Sequence, residues 1–106
     1  MSGKRYSLKF TQKAYEDLDG IFSYISETLY NKTAAENLID RIEQSMLILK
    51  DFPYSCSYVS DVHLRAKGYR KLIIDNFIAF YLVDERQNHV IIMRILYGAM
   101  KYQDLL

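Results

Sequence analysis

The sequence predicts an α+β fold, a two-helix antiparallel hairpin packed on a mostly antiparallel sheet in the order β-α-α-β-β-β. Three observations carry this. Apolar residues recur at helical spacing between Ala14 and Leu49. They alternate, or run unbroken as buried strands do, over Tyr6–Phe10 and again between Tyr69 and Leu96. Polar turn residues cut the C-terminal part into separate strands. Helices grouped before strands pack as one layer on a sheet face.

The first strand, Tyr6–Phe10, places Tyr6, Leu8 and Phe10 on one side and Ser7 and Lys9 on the other. Thr11 then offers an N-cap. Ala14, Leu18, Ile21, Ile25 and Leu29 follow at spacings of four, three, four and four, lining one helical face, with Glu16, Asp17, Asp19 and Glu27 assigned to the other faces. Asn31–Lys32–Thr33 interrupts the pattern, and Thr33 with Glu36 reads as a capping box. Ala35, Leu38, Ile42, Met46 and Leu49 form a second stripe, which stops near Lys50–Asp51 because Pro53 disfavours helical geometry at Phe52. Residues 53–68, with Pro53, three serines, Cys56 and Gly68, read as irregular. Tyr69–Ile74, Phe77–Val83 and His89–Leu96 read as strands, joined by an Asp75-Asn76 turn and a polar Asp84–Asn88 turn. The place of the first strand in the sheet stays open.

A chain of 106 residues, half hydrophobic and a quarter charged, fits one domain spanning 1–106. Lys4 and Arg5 lead into no apolar run, and Phe77–Val83 and Val90–Leu96 are too short to span a bilayer. Cys56 stands alone, and His63 and His89 lack ligand spacing. A cytoplasmic, reducing location is expected, with no metal, no cofactor and no membrane association. Residues 1–62 carry seven Lys and Arg against nine Asp and Glu; residues 63–106 carry seven against four. The basic C-terminal part suits an anionic partner or an ordinary solvated surface equally.

Two groups of residues could carry chemistry. Arg65, Lys67, Arg70 and Lys71, flanked by Tyr69, form a basic cluster that is either a target- or phosphate-binding patch or a solvated loop and strand edge. Arg94 lies among apolar neighbours, as a cation for catalysis or as half of an ion pair with an acidic helix residue. Strand alternation groups Arg94 with Val90, Ile92 and Leu96, and Tyr97 with Ile91, Met93 and Ile95. Tyr97 is then an acid catalyst, if the strand bends, or a packing aromatic. The ten tyrosines invite base stacking, yet Tyr15, Tyr24, Tyr30 and Tyr81 fall on helical and apolar strand positions. No Gly-rich phosphate cradle, nucleophile elbow or metal motif is present.

Several pieces in order carry a resemblance. They are Ala14-x3-Leu18-x2-Ile21-x3-Ile25, the Ala35-to-Leu49 helix ending in Phe52-Pro53, Gly68-Tyr69-Arg70, Asn76-Phe77-Ile78-Ala79-Phe80-Tyr81 and Arg94-Ile95-Leu96-Tyr97-Gly98. With them the chain resembles the RelE/ParE toxin superfamily of type II toxin–antitoxin systems along nearly its whole length. The resemblance implies a toxin silenced by a cognate antitoxin that wraps it with extended and helical segments, in a complex that binds operator DNA through the antitoxin. RelE-like members cleave messenger RNA on the ribosome; ParE-like members inhibit DNA gyrase. Positions where RelE-like toxins place two arginines and a tyrosine fall here on Ile78, Met100 and near Leu106. That departure, with two long helices and a mild net charge, points to a ParE-like gyrase inhibitor whose working surface runs from Arg94 to Lys101. The alternatives are a ribosome-dependent mRNA interferase using Arg94, Tyr97 and Lys101, or a non-toxic member.

Overall fold

The computed structural model describes residues 5–106; Lys4 lies outside them. The chain runs β1 (Ser7–Phe10), α1 (Gln12–Ser23), α2 (Lys32–Leu47), α3 (Val62–Ala66), β2 (Arg70–Ile74), β3 (Phe77–Asp84) and β4 (His89–Tyr97). The predicted α+β architecture is the observed one. The sheet order is β1-β4-β3-β2, antiparallel throughout except that β1 pairs parallel to β4, Ser7 facing His89 and Phe10 facing Ile92. This settles the place of the first strand: it borders the last one.

Helix α1 starts at Thr11, whose Oγ1 accepts from the Ala14 N–H at 3.0 Å and donates to the Met93 carbonyl at 2.8 Å. One hydroxyl thus caps the helix and ties it to the sheet. The helix widens into a π turn over Tyr24–Thr28, and Tyr30 closes it in the left-handed region at φ 52°. The cap of α2 corrects the sequence reading. Asn31, not Thr33, accepts from the third residue on, with Oδ1 3.0 Å from the Ala34 N–H. The cap therefore lies two residues before the expected box, and Thr33 lies inside the first turn of the helix. The stripe Ala35, Leu38, Ile42, Met46 and Leu49 is buried, and α2 tightens over Ile48–Lys50 before Pro53, as its sequence requires.

Residues 53–68 are not wholly irregular. Asp61 Oδ1 accepts from the Leu64 N–H at 3.1 Å and nucleates α3, whose Leu64 is buried against Val59, Tyr69, Phe80 and Leu96. The preceding stretch lies along β2, with the Val59 N–H donating to the Tyr69 carbonyl and the Lys71 N–H to Ser57. The two hairpin turns place Asp75 at φ 52° and Asn88 at φ 56°, conformations that Asp and Asn tolerate.

Both sheet faces are covered. The helical hairpin buries Ala14, Leu38, Ile42 and Met46 against Ala79, Tyr81, Val90, Ile92 and Ile95. On the other face Phe80 and Leu96 meet α3 and the C-terminal tail, through Tyr102, Leu105 and Leu106. A register shift between Phe80 and Tyr81 pairs Phe80 with Arg94 and Tyr81 with Ile92, leaving Met93 as an extra residue in β4. This bulge overturns the expected grouping of Arg94 with Val90 and Ile92. Regular alternation fails at one inserted residue. Val90 and Ile92 face the helices, whereas Arg94, opposite Phe80, and Leu96 face away.

Candidate functional site

The strand β1 ends at Phe10, opposite Ile92, so the last residues of β4 have no strand beside them on that edge. Helix α1 supplies a substitute. The Asp17 carboxylate accepts the Ile95 backbone N–H at 2.9 Å, as a neighbouring strand's carbonyl would. The same carboxylate takes both arms of the Arg94 guanidinium, Nε at 2.8 Å and Nη2 at 2.9 Å. The remaining Arg94 nitrogen donates to the Leu105 carbonyl of the tail at 3.1 Å. The two side chains are only 16% and 12% exposed. A forked Arg–carboxylate pair in such a place is strong and directional. Its hydrogen bonding to Asp17 holds Arg94 more firmly protonated than usual, against a smaller effect of burial. Arg94 therefore occupies the ion-pair alternative of the two the sequence allowed.

Asp17 was not foreseen in this role, because the sequence reading set it off the buried face. Its spacing of three from Ala14 and four from Ile21 puts it on the apolar stripe, and that signal could have found it.

Beside this pair lies a groove of 350 Å³, walled by Asp17, Gly20, Ile21 and Tyr24 of the first helical segment and by Phe77, Ile95, Tyr97 and Met100. Its lips are apolar and open: Tyr24 is 57% exposed, Tyr97 51% and Met100 46%. Tyr97 packs edge-on against Phe77, ring centres 6.0 Å apart. The strand runs unbroken from Arg94 to Tyr97 and ends there, held by the Gly98 N–H donating to the Asn76 carbonyl at 2.7 Å. Arg94 and Tyr97 thus share one groove from opposite faces of β4. Lys101 is exposed on the following tail and is not part of the groove wall.

The basic cluster is divided. Arg70 stacks on Tyr58, 4.0 Å from the ring centre, while its Nη1 donates to the Cys56 carbonyl at 2.6 Å. Arg65 approaches the same ring at 5.7 Å. Lys71, facing Phe80, points to the opposite side of the sheet from Arg70, which faces Tyr81, and Lys67 belongs to a separate depression beside Leu82 and Arg86. Among the described residues, no three His, Cys, Asp or Glu converge as metal ligands, and no helix is long and apolar enough to cross a membrane.

Comparison with known proteins gives three results. The chain matches the family described as ParE toxin of type II toxin-antitoxin system, parDE, over residues 8–102. No curated protein sequence matches it. Among solved structures it is similar to the chromosomal ParDE toxin–antitoxin system of P. aeruginosa, with TM-score 0.74 and 26% identity over 90% of this chain and 98% of that one. It also shares the fold of the RelBE2 toxin–antitoxin complex of Mycobacterium tuberculosis, with TM-score 0.59 and 17% identity over 88% and 98% of the two chains.

Proposed function

This chain belongs to the ParE toxin family of type II toxin–antitoxin systems, and on that premise we propose that it arrests growth by binding DNA gyrase, with a cognate antitoxin holding it silent. The working surface is the groove between the first helical segment and the end of β4, continuing from Arg94 through Tyr97 to Lys101. One observation carries this reading. The strand's cation is neutralised by Asp17, so the groove offers exposed Tyr24, Tyr97 and Met100 in place of an available positive charge. Apolar and aromatic lips of this kind suit docking of a protein segment. The antitoxin fits the same place, as an amphipathic segment laid across those lips that excludes the target by occupancy.

A ribonuclease must place a base, an acid and a cation around a phosphate. Arg94 and Tyr97 do reach a common groove, which keeps the mRNA interferase reading in play, but phosphate would have to displace the Asp17 carboxylate from Arg94.

The test is a supercoiling and cleavage-complex assay with purified chain and gyrase. Inhibition that is relieved by the antitoxin, and weakened by Tyr97→Ala, is expected. No effect on gyrase at large molar excess, together with new 5′ ends on translated messages that vanish in Tyr97→Phe, would instead select the nuclease.

A further inference from the structure

At the far end of β3 from the groove, the segment after α2 leaves several aromatic side chains exposed. Phe52 is 61% exposed, Tyr54 46% and Tyr58 43%. Two guanidinium groups stand over the tyrosines. Arg70 is 4.0 Å from the Tyr58 ring centre and 5.1 Å from that of Tyr54, and Arg65 is 5.7 Å from Tyr58. None of the three ion pairs among the described residues, Arg5–Asp51, Arg41–Asp75 and Arg94–Asp17, includes either of them. Arg70 is held in place by donating to the carbonyls of Cys56 at 2.6 Å and Tyr54 at 3.4 Å. Two like charges gather on one ring, and the nearby Glu85 carboxylate is engaged by the Tyr54 hydroxyl and bridges neither guanidinium, so both cations stay available beside half-exposed aromatic rings.

We propose that this surface, centred on Tyr58, binds single-stranded nucleic acid, its phosphates meeting Arg65 and Arg70 and its bases stacking on Phe52 and Tyr54. Alternation of cations with flat apolar rings matches a strand that alternates phosphates with bases, and such stacking tolerates any sequence. An acidic peptide would satisfy the guanidinium groups and leave the rings in water. A rigid duplex keeps its bases stacked on each other and offers them no partner. The site is separate from the groove and does not rest on the gyrase reading.

Fluorescence anisotropy of the full chain with a labelled mixed-sequence single strand of about ten nucleotides tests it. Saturable binding is expected, weakening as salt rises. Arg65→Glu should lower affinity about tenfold or more, and Arg65→Ala should flatten the slope of log K against log salt by roughly 0.7, the value for one phosphate contact on a single strand. Arg65 is exposed, so both variants should melt with the parent chain. Lys32→Glu, the same charge change on exposed α2, should bind as the parent does. The proposal is overturned if no binding is seen at low salt, if Arg65→Glu binds normally, or if Lys32→Glu loses as much. Displacement of the strand by polyglutamate at equal charge concentration would mark an acidic-peptide surface and overturn it too.

Discussion

Removing the Asp17 carboxylate by Asp17→Ala leaves the Arg94 charge in a site where its side chain is 16% exposed, and takes the acceptor from the Ile95 N–H. Breaking a buried ion pair on one side costs about 3–5 kcal/mol. The residual exposure of both partners puts this pair at the low end, and an orphaned N–H adds about 1 kcal/mol or more. The expected loss is about 4 kcal/mol, a large share of the total stability of so small a domain. For a domain of this length it lowers Tm by roughly 15–30 °C. Deleting both charges, as Asp17→Ala with Arg94→Met, removes the desolvation of the pair along with its attraction, so the double variant should be less damaged than Asp17→Ala alone by about 2 kcal/mol, with Arg94→Met completing the cycle. Urea unfolding followed by far-UV circular dichroism on the four chains of the cycle measures both quantities. If Asp17→Ala stays within about 0.5 kcal/mol of the parent, or if the two single losses simply add, the pair does not hold α1 to β4.

Two more outcomes follow from other elements. Asn31→Ala should cost about 1 kcal/mol and Thr33→Ala clearly less in the same unfolding experiment, because the side chain that satisfies the Ala34 N–H belongs to Asn31; the reverse order would restore Thr33 as the cap. Burial, with Cys56 beside it, pushes the Tyr81 phenol well above its ordinary range. The folded chain therefore keeps this proton where the unfolded chain, ionising near pH 10, has released it. The contribution is complete below about pH 10 and is lost as pH rises from there toward the folded value. Tyr81→Phe should flatten that alkaline decline while losing about 1 kcal/mol at neutral pH with the bond to the Pro53 carbonyl. An alkaline decline of unchanged steepness in Tyr81→Phe would exclude Tyr81 as its source.

The parts of the fold legible in the sequence were those written in repeated spacing. Ala35, Leu38, Ile42, Met46 and Leu49 predict a buried helical face and form one. The three C-terminal strands and the Asp75-Asn76 turn follow from alternation and turn chemistry in the same way. What escaped were features set by single contacts or single inserted residues, which leave no repeated period to read. The bulge at Met93 has no glycine to announce it, and it flips the facing of Arg94 and the residues after it relative to Val90 and Ile92. Helix α3 has too few residues to show a period, and only the Asp61–Leu64 contact reveals it. The choice of Asn31 over Thr33 turns on backbone geometry at Tyr30, which composition does not encode. In the candidate site, Arg94 and Tyr97 could be named from their types, but the partner of Arg94 could be found only by noticing that a carboxylate falls on the greasy stripe of α1.

The placement of β1 beside β4 has a temporal side. Their backbones join Ser7 to His89, and Asp17 finds Arg94 some seventy-seven positions away. Translation delivers the helical wall of the groove well before the wall from the end of β4, with α2, α3, β2 and β3 emerging in between. A nascent chain stalled before His89 owns helices but no groove, since the strand that supplies its second wall has yet to be made. Closure across so long a loop is also slow to nucleate, since distant contacts reward the lost chain freedom only once they are made. An antitoxin made at the same time has that interval in which to be waiting.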